Sequence, residues 1–85
     1  MQDTTAKAKI KKAVNSQLPG ESEPVKAYIE DLIFTTYRAN KGDYELYSND
    51  TEALEDALEI DLDFELTEVL KEAREQTAQS SANRK

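Results

Sequence analysis

The sequence contains no cysteine, no histidine and no tryptophan, and only two glycines and two prolines among 85 residues. Without cysteine there is no disulfide framework, no thiolate metal site and no thiol nucleophile. Without histidine the side chain used most often for acid–base work near neutral pH is missing. No apolar run approaches the roughly 20 residues needed to cross a bilayer. The N-terminal stretch MQDTTAKAKIKKAV also lacks the apolar segment of a signal peptide. The expectation is therefore a soluble, cytoplasmic, non-enzymatic protein with no membrane partner and no cofactor. A further absence is local: between residues 43 and 68 there is no lysine or arginine at all.

What is present is charge, unevenly placed. The formal net charge is -7, but Lys7, Lys9, Lys11 and Lys12 stand against Asp3 alone in the first 20 residues. The base-free segment carries Asp43, Glu45, Asp50, Glu52, Glu55, Asp56, Glu59, Asp61, Asp63, Glu65 and Glu68. The chain is thus an electrostatic dipole along its own length. Its apolar residues suffice for one small core, so residues 1–76 are expected to form a single domain.

The spacing of those apolar residues predicts an all-α protein, a small bundle of three or four helices. Ala6, Ile10, Val14 and Leu18 recur every four residues over a helix at 5–18, with Thr4 or Thr5 as its cap; this stripe is thin and is expected to pack loosely. Ser22-Glu23-Pro24 opens a second helix, and Val25, Tyr28, Ile29, Leu32, Ile33, Thr36 and Tyr37 give it a wide apolar face. Asn40-Lys41-Gly42 should end it, with glycine in the left-handed conformation. Asp50 or Thr51 should cap a short third helix bearing Ala53, Leu54, Ala57 and Leu58, and Leu66, Val69, Leu70 and Ala73 mark a last one. Residues 77–85, TAQSSANRK, read as a disordered tail. The alternative is an α+β fold with a short hairpin at about 32–48, because Ile33-Phe34-Thr35-Thr36-Tyr37 is β-branched and aromatic and Asp43 to Tyr47 alternates.

The stretch EIDLDFEL, residues 59–66, alternates acid and apolar side chains as a strand would. It lies between two helical patterns without turn residues, so it is expected to be a junction in which Ile60 and Leu62 enter the core and Asp63 caps the last helix. Counted from Asp61, the acids Asp63, Glu65 and Glu72 fall at EF-hand ligand spacing, but Leu66 stands where that loop needs glycine, and solvated acids are the better reading. An acyl-carrier function would need a serine in Asp-Ser-Leu; Ser48 in Tyr-Ser-Asn and Ser22 in Glu-Ser-Glu do not supply it.

The function expected from these residues is a small acidic protein-binding module that inhibits or regulates a partner with a basic surface. Antitoxins, immunity proteins and phage inhibitors, some acting as nucleic-acid mimics, are of this kind; the comparison rests on charge and size alone. Concentrated like charge destabilises a small fold, and a complementary partner relieves it and is steered by it. The candidate partner-binding residues are Asp43, Tyr44, Glu45, Tyr47, Asp50, Glu55, Asp61 and Asp63. The alternative is a small dimeric DNA-binding regulator that uses Lys7, Lys9, Lys11 and Lys12 on phosphates. Four lysines without arginine are a weak footprint for it, so nucleic acid is not the expected partner, and homodimerisation is left open.

Overall fold

The computed structural model describes residues 3–43 and 45–82. Among these residues the chain forms α1 (Asp3–Gln17), α2 (Glu23–Lys41), α3 (Asp50–Glu59) and α4 (Leu66–Ala82), with a five-residue π-helical turn, Ile60–Phe64, joining the last two. No strand occurs among the described residues, so the fold is an all-α bundle. The hairpin over 32–48 is excluded because residues 32–41 belong to α2. Burial at helical spacing overrides the local β propensity there: Val25, Ile29, Ile33 and Tyr37 form one inward row. The β-branched pair in the middle is absorbed by hydroxyl bonds back along the helix, Thr35 Oγ1 donating to the Asp31 carbonyl at 2.9 Å and Thr36 Oγ1 to the Leu32 carbonyl at 3.1 Å.

Helix α2 is the hub, since α1, α3 and α4 all pack on it. The division of volume explains how so short a chain closes a core. Helix α2 contributes Val25, Ile29, Ile33 and Tyr37, and each neighbour meets it with alanine beside larger residues: Ala6 from α1, Ala53 and Ala57 from α3, and Ala73 from α4, all fully buried. Small residues at these points let the helix axes approach closely, and Ile10, Val14, Leu18, Leu54, Leu62 and Val69 fill the remaining space. The thin stripe of α1 is therefore completely covered, not loosely held: Ala6 and Val14 have no exposed surface.

Several helix ends differ from the sequence expectation. Helix α1 begins at Asp3, which puts Thr4 and Thr5 inside its first turn. Gly42 ends α2 at φ -76°, a right-handed conformation, with its N–H on the Arg38 carbonyl at 3.3 Å. Any residue can adopt that geometry, so the left-handed cap is not used. Helix α4 runs on to Ala82, past the point where the tail was expected, and Thr77 Oγ1 donates to the Ala73 carbonyl at 2.8 Å within it. Residues 83–85 lie outside the described residues.

Both ends of the bundle are clasped by charge. At one end Lys41 Nζ lies 3.9 Å from Asp3 on α1 and 3.9 Å from Asp50 on α3. At the other, the Arg74 guanidinium forks onto Glu21 at 2.6 and 3.2 Å, joining α4 to the α1–α2 loop. Tyr28 Oη donates to Glu72 Oε1 at 3.0 Å, linking α2 to α4 along their length.

Candidate functional site

The acidic segment is shaped by the loop that precedes α3. Asp43 turns its carboxylate back onto the backbone, accepting from the N–H groups of Glu45 at 3.2 Å and Leu46 at 3.3 Å, an Asx-type turn that fixes the loop after α2. Asn40 Nδ2 donates to the Ala53 carbonyl at 3.1 Å and ties the end of α2 to α3. The cap of α3 is Asn49, not Asp50 or Thr51: its backbone is extended and its Oδ1 accepts the Glu52 N–H at 2.9 Å. Glu52 reciprocates toward Ser48, accepting from its hydroxyl at 2.8 Å and its N–H at 3.1 Å, which closes a variant of the capping box. The Ser48 hydroxyl and then its N–H hold the Glu52 carboxyl below its ordinary pKa.

From that start, α3 carries Glu52, Glu55, Asp56 and Glu59 at spacings of three, one and three, a single helical face. These four carboxylates line an open hollow of about 280 Å³ whose other wall is Leu46 and Tyr47 from the loop. Leu46 is 72% exposed beside this charge. The Tyr47 hydroxyl donates to Asp56 Oδ2, and this bond to the carboxylate, followed by desolvation, pushes the phenol pKa up. Asp56 is thereby oriented, while Glu55 and Glu59 stand exposed in water. Among the described residues no cation forms an ion pair with Glu52, Glu55, Asp56 or Glu59. The four N-terminal lysines are exposed and do not neutralise them; Lys7 instead lies over the Phe34 ring, 4.8 Å from its centre.

The sequence-derived candidates are thus distributed unevenly. Tyr47 and Glu55 share the hollow, and Glu45 is exposed in the adjoining loop. Asp43 is occupied in shaping that loop, and Asp50, in the first turn of α3, belongs to the Lys41 clasp. Asp63 is exposed on the π turn. Tyr44 lies outside the described residues. Asp61 is a correction: it is only 4% exposed, withdrawn into the core beside Leu62, and presents nothing to a partner. It continues the inward row of Ala53 and Ala57 at four-residue spacing, which places it on the buried face of α3. Leu46, Glu52, Asp56 and Glu59 were missed as site residues. The signal for three of them was legible, since acids at 52, 55, 56 and 59 fall on one face once α3 is accepted as a helix.

The arrangement offers negative charge, one exposed aliphatic side chain and a tyrosine edge; such a surface holds cationic groups and buries a small apolar contact among them. Asp61, Asp63 and Glu65 sit on a helical turn and do not form a cation loop; among the described residues no group of three or more acids is gathered as a metal cluster. Among them, too, no helix is long and apolar enough to cross a membrane. No protein-family model, curated protein or solved structure matches this chain.

Proposed function

We propose that this chain is a small acidic binding module that inhibits or regulates a partner protein by covering a basic surface on it. The face formed by Glu52, Glu55, Asp56 and Glu59, with Leu46 and Tyr47 beside it, is the contact. One observation carries the reading: four carboxylates on one helical face have no cationic partner within the described fold, next to a leucine left in water. Like charges so placed repel one another, and a basic counter-surface removes that cost while speeding encounter. Leu46 and Tyr47 supply the desolvated contact that charge alone does not, since rim charges mainly set the association rate.

The test is affinity capture from the native cell at low salt and again near 1 M, where the screening length falls to about 3 Å. The expected result is a basic partner released by salt. Glu55→Gln with Glu59→Gln, which removes no side-chain hydrogen bond seen among the described residues, should weaken capture about tenfold or more, equivalent to ~1.4 kcal/mol. Capture that persists at high salt, or is unchanged in the double variant, overturns the reading. Tight, salt-dependent binding to random duplex DNA, lost when Lys7, Lys9, Lys11 and Lys12 become glutamine, would select the DNA-binding regulator instead.

A further inference from the structure

The π turn between α3 and α4 has its side chains inverted. Asp61 is 4% exposed with Oδ2 buried and lacking a hydrogen-bond partner among the described residues, whereas Phe64, three residues on, is 75% exposed. Burying a carboxylate with one oxygen left unpartnered costs more than burying a phenyl ring, so the order of burial is the reverse of what transfer from water favours. The backbone separates the two because the Glu65 N–H bonds the Ile60 carbonyl at 2.9 Å, five residues back: Asp61 continues the inward row of Ala53 and Ala57, and the widened turn carries Phe64 out of it.

We propose that Ile60–Phe64 is a proton-operated switch with two arrangements: Asp61 inside and Phe64 outside while the carboxyl is neutral, Asp61 in water and Phe64 drawn onto the bundle once it ionises. The apolar side chains proposed to receive Phe64 are Leu58 before the turn and Leu66 and Leu70 after it, each half-buried against the core. The surroundings favour the neutral carboxyl. Burial pushes the Asp61 pKa up, with the Thr36 hydroxyl opposing and the Glu65 charge adding to it. That opposition is limited, because Thr36 already donates its one proton to the Leu32 carbonyl at 3.1 Å. The charged side chains nearest in sequence are acids: Glu59 ending α3, Asp63 and Glu65 at the turn, Glu68 opening α4. The cations of α2 and α4 are engaged elsewhere or stand in water. Lys26 pairs with Glu23, Lys41 with Asp3 and Asp50, and Arg74 with Glu21; Arg38 lies over the Phe34 ring, and Lys71 is exposed. The sign follows: a raised carboxyl pKa favours the closed turn below the unfolded-state value, and that preference is lost as pH rises through the folded-state value.

The chain has no tryptophan, so Phe64→Trp gives a single fluorescent reporter at the turn. The experiment pairs its emission and iodide quenching with ¹³C carboxyl NMR of Asp61 in the unaltered protein, both as functions of pH. The expected result is an Asp61 titration above 3.8, where an aspartate in water titrates, and over the same range a shift of emission to shorter wavelength with loss of quenching. Asp61→Asn in the reporter chain should abolish that shift and keep the ring exposed at every pH. An ordinary Asp61 titration, a reporter that does not move as Asp61 titrates, or a shift that survives Asp61→Asn each overturns the proposal. The carboxyl titration decides even where the Asn variant fails to fold.

Discussion

Tyr37 places a whole aromatic ring at the centre of the bundle, without exposed surface, and its hydroxyl has no hydrogen-bond partner among the described residues. An unpaired buried hydroxyl costs free energy that the ring's burial offsets, because fully burying an aromatic side chain is worth about 1.5–3 kcal/mol. Removing only the oxygen should therefore cost nothing. Tyr37→Phe is expected to leave stability unchanged or raise it by up to ~1 kcal/mol in urea unfolding. A loss of 2 kcal/mol or so would mean the hydroxyl has a partner in solution, such as a trapped water. Its neighbours on the row behave differently: Ile29 and Ile33, equally buried, have only packing to lose. The same contrast separates Asp61 from the other acids, for among the described residues it is the one buried carboxylate.

At the scale of elements, α3 is the weak member. It has ten residues, too few to persist alone in water, so its cap and its contact with α2 hold it. Asn49→Ala removes the side chain that accepts the Glu52 N–H and should cost about 1 kcal/mol. Because the acidic face begins at Glu52, that variant should also loosen the face, which amide exchange across Ala53–Ala57 would report as faster exchange. The end of α2 predicts the opposite outcome. Gly42 is right-handed, and a Cβ there would meet only the Ala39 carbonyl oxygen at 3.6 Å and the Arg38 oxygen at 3.9 Å, ordinary contact distances. Gly42→Ala should thus stabilise by about 0.4–1 kcal/mol through the unfolded chain, where a left-handed cap would have made it destabilising. Thermal melts of the two variants distinguish these signs directly.

For the molecule as a whole, long-range charge competes with local ion pairs. The formal net charge of -7 and the unpaired face of α3 oppose compaction, while the Lys41 and Arg74 clasps favour it. The clasps are partly exposed, and exposed pairs contribute little. Repulsion should dominate, so moderate sodium chloride is expected to raise the urea midpoint by screening it. A midpoint that falls on adding salt would show that the clasps outweigh the repulsion. The segregation of charge has a second consequence at this scale. The basic helix α1 and the acidic face of α3 do not neutralise each other within the described fold, so the monomer keeps both signs available at its surface.

The sequence by itself determined the helical class, the central place of α2 and the acidity of the segment after it. These are properties of local spacing and composition: Val25, Tyr28, Ile29, Leu32 and Ile33 can share a face in a helix but not in a strand, and residues 43–68 lack a base whatever their fold. Helix ends were less legible, because Asn49, Asp50 and Thr51 are all competent caps and only the path of the loop selects one. Which acids meet was decided by tertiary structure. The π turn sends Phe64 outward, and the Asp43 turn carries Leu46 and Tyr47 to the edge of α3; both depend on how α3 and α4 must angle to reach α2. That constraint comes from packing against residues far along the chain, and no short window of sequence contains it.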